Sequence, residues 1–172
     1  MPDDAKQVVL EYYERLNRRD LAGAGDLFSE TCAVTVADSS LDKAAYMQLL
    51  DSWLTGFPDL RNAVEDVVAD GAVVAVRTSW EGTHGTPFAG IPSTGRRVRY
   101  GSFSFTRVED GRIVERQLLA NLFGVLGQLG DLSFRPSREA PSPQAPSRDE
   151  EQPPRTLDKD VSDAFRAAPS GE

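Results

Sequence analysis

Two Asp-Gly dipeptides, Asp70-Gly71 and Asp110-Gly111, each sit between runs rich in β-branched and aromatic residues. Asp-Gly in that setting is the strongest short-range signal for a tight hairpin, because the favoured turn needs positive φ at both central residues. The flanking runs are residues 63–69 with 72–81, and 102–108 with 112–120. Upstream the period changes. Val8, Val9, Tyr12, Tyr13 and Leu16 recur at helical spacing behind a cap at Asp3. A short second helix is expected over 21–28. A third is expected over 42–54, stopped by Gly56-Phe57-Pro58. Helices first and antiparallel strands afterwards read as an α+β domain, with the helices on one face of a curved sheet.

The 172 residues suffice for one ordinary domain. After Gly130 the composition shifts: residues 131–172 hold seven of the eleven prolines and only two aromatics, Phe134 and Phe165. Such a segment buries too little apolar surface to offset the entropy of ordering. The expected organisation is thus a domain over 1–130 and a disordered tail over 131–172, in which Leu157, Val161 and Phe165 could form a short docking helix behind Thr156.

Several classes of partner drop out. No apolar run approaches the roughly 18 residues of a membrane helix. The charged N-terminus lacks the pattern of a signal peptide, so a cytoplasmic location is expected. Cys32 is the single cysteine and His84 the single histidine, too few for an internal disulfide or a zinc site. Cys32 reads as a buried, inert thiol in the run 31–37. Net charge is −8, and no basic cluster is present to neutralise phosphates, so nucleic acid is not an expected partner.

Counting outward from Asp110-Gly111 as a two-residue loop pairs Val108 with Ile113, Thr106 with Glu115, Ser104 with Gln117, Ser102 with Leu119 and Tyr100 with Asn121. Because side chains alternate, these ten share one face. The other face carries Phe103, Phe105, Val114, Leu118 and Ala120, with Arg107 and Arg116 near the turn. Either the polar face is solvated and the phenylalanine face is core, or the polar face lines a cavity and another subunit covers the phenylalanines. A bulge would flip this assignment.

The stretch Gly82-Thr-His-Gly-Thr-Pro-Phe88-Ala-Gly90-Ile-Pro92-Ser-Thr94-Gly95-Arg96 resembles the loop and strand entry of the SnoaL-like polyketide cyclases. These belong to the superfamily of nuclear transport factor two and ketosteroid isomerase. The resemblance continues through Asp110-Gly-Arg-Ile-Val-Glu115, closes with Gly124-Val-Leu-Gly-Gln128-Leu-Gly130, and is supported by the opening Val8-Val-Leu-Glu-Tyr-Tyr. It implies a cone of about three helices on a strongly curved antiparallel sheet, with a deep pocket between them. It also implies that the last strand points Glu115, Gln117, Leu119 and Asn121 into that pocket. Where the family carries its acid–base aspartate this chain has Asn121, and where a tryptophan is usual it has Gln117. An amide exchanges no proton near neutral pH, so the family's aldol mechanism does not transfer.

The expected catalytic set is Asn121, Tyr100 and His84. Tyr100, opposite Asn121 in that register, could donate to a developing oxyanion. His84 titrates in a useful range from a loop at the pocket mouth. Gln117, Leu119, Trp53, Phe57, Trp80, Phe88, Ser102 and Ser104 are the expected substrate contacts, the aromatics suiting a flat or hydrophobic ligand. Glu115, about 20 Å along the strand from Asn121, reads as a structural ion pair. No metal or cofactor is expected. The function expected is a cyclase or isomerase of specialised metabolism, such as antibiotic biosynthesis; the alternative is a non-catalytic binding protein on the same fold. If Phe103, Phe105 and Leu118 face outward, a homodimer is the simplest cover.

Overall fold

The computed structural model describes residues 2–130; the expected tail and its Leu157/Val161/Phe165 pattern lie outside them. Helix α1 (Pro2–Asn17) begins a residue before the expected cap. Its buried side chains, Ala5, Val9, Tyr12, Tyr13 and Leu16, form the apolar stripe that docks it on the sheet. Helix α2 (Leu21–Asp26) is capped by Asp20, whose side chain accepts from the Gly23 N–H. It ends earlier than expected, because Phe28 already opens strand β1 (Phe28–Val36). After β2 (Ser39–Leu41), helix α3 (Lys43–Gly56) is capped by Asp42 and buries Tyr46, Leu50 and Leu54 at a four-residue spacing. Strands β3 (Arg61–Asp70), β4 (Val73–Thr83), β5 (Arg97–Glu109) and β6 (Arg112–Ala120) follow. A fourth helix, α4 (Leu122–Leu129), was not expected.

One curved, unclosed sheet carries all six strands in the order β2-β1-β6-β5-β4-β3. Neighbouring strands run antiparallel from β6 to β3 and between β1 and β2; the β1–β6 pair is parallel, which brings Val34 beside Arg116 and Val36 beside Leu118. The first hairpin turns one residue later than expected, with Asp70 paired to Val73. The second turns at Asp110-Gly111, with φ of 48° and 73°, the doubly positive pair that Asp-Gly tolerates.

Beyond that turn the expected register breaks. Glu109 pairs with Arg112 and Val108 with Ile113, but Arg107 pairs with Glu115, leaving Val114 as an extra residue on β6. A one-residue bulge reverses the facing of everything beyond it. Thr106 now meets Arg116, Ser104 meets Leu118 and Ser102 meets Ala120. The inner face of β6 therefore carries Ile113, Arg116, Leu118 and Ala120, while Glu115, Gln117 and Leu119 turn outward. Burial explains the slip: Ile113 and Arg116, three residues apart, are both enclosed, and only a bulge allows that in a strand. On β5 the expected alternation holds, with Tyr100, Ser102, Ser104 and Thr106 buried and Phe103 and Phe105 exposed at 57% and 52%. Among the described residues no helix is long and apolar enough to cross a membrane.

Candidate functional site

Between α1, α3 and the inner face of the sheet lies a narrow cavity. It encloses about 650 Å³ of space between atoms, mouth included, of which about 70 Å³ can hold the centre of a water molecule. That is slim for a pocket of the usual ligand class, so a flat or chain-like molecule suits it better than a bulky one. Trp53 from α3 with Trp80 and Tyr100 from adjacent strands wall its outer half, next to the half-exposed Leu122. The rings of Trp80 and Tyr100 lie 6.1 Å apart and nearly parallel, and Trp53 sits 5.1 Å from Tyr100. The Trp80 indole is held in place: its Nε1–H is within hydrogen-bond distance of Thr78 Oγ1 (2.9 Å) and Ser102 Oγ (3.1 Å).

The inner end is polar. Arg116 reaches it from β6 and is 1% exposed. Its Nε donates to Tyr46 Oη at 3.2 Å, one Nη to Thr106 Oγ1 at 2.7 Å, and the other to Tyr13 Oη at 2.8 Å. The guanidinium also stands over the rings of Tyr12 and Tyr13, 4.7 and 5.4 Å from their centroids. Tyr46 and Tyr12 share a hydrogen bond of 2.7 Å, and Tyr13 is tied to Ser104 at 3.0 Å. Burial works against charge on Arg116, but the surrounding tyrosine oxygens outweigh it and hold its pKa above the ordinary arginine value. The cation therefore persists, supported by hydroxyls and π-faces in place of a carboxylate. Burial also drives the Tyr100 phenol well above its ordinary pKa, with Tyr46 adding to the shift, so it stays a donor. Its hydroxyl makes no hydrogen bond to another described residue. Among the described residues, none that lines the cavity carries a carboxylate, imidazole or thiol.

Residues 6–129 match the family model described as SnoaL-like polyketide cyclase. The chain belongs to that family. Among solved structures, this SnoaL-like chain is 30% identical to AclR of Streptomyces galilaeus, described as a candidate hydroxylase. The match covers 77% of this chain and 99% of AclR, with a TM-score of 0.73. It is 28% identical to IdmH of Streptomyces antibioticus, described as a candidate polyketide cyclase, over 73% of this chain and 98% of IdmH, with a TM-score of 0.67. TsrD of Streptomyces laurentii, at 21% identity and a TM-score of 0.68 over 77% of this chain and 98% of its own, shares the fold. A search of curated protein sequences found no match.

Of the residues singled out from the sequence of this SnoaL-like chain, Trp53, Trp80, Tyr100 and Ser102 line the cavity. Ser104 faces inward but supports Tyr13. The bulge puts Gln117 and Leu119 on the outer face, Leu119 being 61% exposed, a correction to the inward set expected from the resemblance. Asn121 is exposed beyond the strand end, where its Oδ1 accepts from the Gly124 N–H at 2.9 Å and caps α4. His84 is buried outside the cavity, its ring 5.3 Å from that of Phe57, with Nδ1 accepting from the Thr94 N–H at 3.3 Å and 3.1 Å from Thr94 Oγ1. With its backbone bonded to Arg96 and Gly95, it pins the base of the loop it opens. Phe57 and Phe88 pack behind Trp53, at 5.4 and 4.4 Å, and buttress it without reaching the cavity. Glu115 pairs with Arg107 on the outer face, at 3.4 Å. Arg116, Tyr12, Tyr46 and Leu118 were missed. No local sequence signal marked them, because the bulge that turns Arg116 and Leu118 inward is decided by burial in the folded chain.

Proposed function

We propose that this chain is a cofactor-independent cyclase or isomerase that holds a hydrophobic, polyketide-like small molecule in the aromatic cavity and guides its intramolecular reaction, acting in the cytoplasm. The cavity itself carries the reading: two tryptophans and a tyrosine form a fixed slot closed at one end by hydrogen-bond donors. A slot of this shape constrains a flexible chain. Holding reacting atoms in a near-attack geometry contributes on the order of 7–11 kcal/mol in well-oriented cases. Since the described wall offers no carboxylate, imidazole or thiol, catalysis here rests on positioning and on donors aimed at developing negative charge, with Tyr100 as one of them. Asn121 and His84 serve in this reading as a helix cap and a loop pin, outside the chemistry.

The same lack of a base in the wall favours a second reading, a protein that binds a metabolite without converting it. Metabolite mass spectrometry of producing cells with and without the gene separates the two. In the enzyme reading, deletion accumulates an uncyclised or unrearranged isomer. Wild type and Asn121→Ala clear it, and Ala120→Phe, which fills the outer half of the cavity, does not. An unchanged profile favours the binding protein. In either reading we propose a homodimer covering the outer sheet face, where Phe103, Phe105 and Leu119 are exposed.

A further inference from the structure

The inner end of the cavity holds an unusual object: a fully buried guanidinium without a carboxylate partner among the described residues. A buried charge of this kind is costly unless it is paired. Three of its five N–H bonds are satisfied, by Tyr46, Thr106 and Tyr13, and all three acceptors are neutral hydroxyls. The remaining two, one on each Nη, have no acceptor among the described residues, although Arg116 lines the cavity. Thr106 and Tyr13 fix the plane of the group by gripping both Nη atoms. What they leave is a rigid fork with two unused donors and an unneutralised charge, at the closed end of an aromatic slot.

We infer that the cavity selects ligands that carry a delocalised anionic oxygen, an enolate or a carboxylate, at one end of a flat apolar body, and that Arg116 is the residue that pairs with it. The inference rests on the ligand-binding reading above and adds the charge and orientation of the ligand to it. The anion enters first and meets Arg116; the body follows and stacks between Trp53, Trp80 and Tyr100. In a 1,3-dicarbonyl chain the same pairing favours the enolate over the ketone, since only the enolate oxygen carries the charge that the cation lacks. The proton lost on forming that enolate goes to solvent. Arg116 stays protonated throughout, and no bond to the protein forms.

The test uses the full chain and three probes of similar flat shape, measured by equilibrium dialysis. One is 4-hydroxycoumarin, a cyclic 1,3-dicarbonyl that is an enolate at neutral pH. The second is uncharged coumarin, and the third is 1-naphthoate. Charge-assisted hydrogen bonds in a dry site predict that an anionic probe binds at least about tenfold more tightly than coumarin. Preference for 4-hydroxycoumarin assigns an enolate and preference for 1-naphthoate a carboxylate; both support the inference. Arg116→Gln keeps donors but removes charge, and is expected to erase the anion preference, bringing the affinities for anionic and neutral probes to within about twofold of each other. The wild-type comparison decides the matter even if that variant does not fold. Equal affinity for all three overturns the anion inference but leaves the ligand site standing. No binding of any probe overturns both.

Discussion

Replacing Asn121 by alanine separates a cap from a catalytic group. In the structure its side chain makes one hydrogen bond, from the Gly124 N–H to Oδ1 at 2.9 Å. The backbone bonds around it, Asn121 N–H to the Gly101 carbonyl and Val125 N–H to the Asn121 carbonyl, survive the substitution. The loss is therefore that of an N-cap alone, about 1 kcal/mol and at most about 2. Helix α4 also docks through Val125 and Leu129, both buried, so it stays in place when the cap goes. For a domain of this size the melting temperature falls by roughly 3–6 °C. Asn121→Asp keeps the acceptor and sets a negative charge at the helix N-terminus, so it is expected to match wild type or exceed it by up to about 1 kcal/mol. Gly124→Ala crowds the same cap, since an added Cβ would lie 2.6 Å from Asn121 Nδ2, but gains about 1 kcal/mol of helix propensity, so its melting temperature should move less than that of Asn121→Ala. The assay is thermal unfolding followed by circular dichroism, run beside dialysis of a bound probe. The expected outcome is a shift in melting temperature with ligand affinity unchanged within twofold. A tenfold loss of affinity or turnover in Asn121→Ala at unchanged melting temperature would refute the reasoning and return Asn121 to the site.

Other perturbations follow from the same geometry. Tyr12 and Tyr100 have pKa values raised mainly by burial, so the folded state holds their protons more tightly than the unfolded chain does. That contribution to stability is complete below the ordinary tyrosine pKa near 10 and is lost progressively as pH rises beyond it. Absorbance at 295 nm should accordingly show these two phenols ionising only together with unfolding. Phe103→Glu combined with Phe105→Glu is expected to convert a dimer to a monomer in sedimentation velocity, with ligand affinity retained; a wild-type monomer rejects the dimer outright. Thr106→Val removes the acceptor of one Arg116 Nη bond and exchanges a hydroxyl for a methyl of similar size, at about 1–3 kcal/mol of stability in urea unfolding. Tryptophan emission should respond to any ligand that binds, because both tryptophans of the chain line the cavity; an unmoved spectrum with a bound probe would place the ligand elsewhere.

The fold was legible because its determinants are local. Asp110-Gly111 fixes a turn by its own φ requirements, and the stripe from Val9 to Leu16 fixes a helix by its period. The inner face of β5 was equally readable, since Tyr100, Ser102, Ser104 and Thr106 alternate with exposed residues without interruption. Helix α4 was not, because Gly124 and Gly127 lower the helical propensity of a segment that holds through its cap and through the burial of Val125 and Leu129.

The candidate site was half legible, and the line between the halves runs through Val114. Every expectation that depended on β5, α3 or β4 brought a residue to the cavity wall or directly behind it, whereas the expectations that depended on counting along β6 past Val114 landed on the wrong face. A bulge has no sequence code as sharp as Asp-Gly; it is decided by which of two neighbouring registers buries its side chains better. Without the bulge, Glu115 and Gln117 would enter a space already lined by Tyr12 and Tyr46, and Arg116 would lie in solvent. With it, one cation replaces an acid and an amide, and meets two tyrosine faces and three hydroxyls. The ring of hydroxyls is thus what makes the bulged register tenable, and it was visible in the sequence as Tyr12, Tyr13, Tyr46 and Thr106 spread over 95 residues, a grouping that only the folded chain assembles. Removing the cation by Arg116→Gln therefore weakens the reason for the bulge, and amide exchange along residues 114–118 should speed up in that variant more than along β4. Uniform exchange in the two strands would mean that Ile113, not Arg116, sets the register.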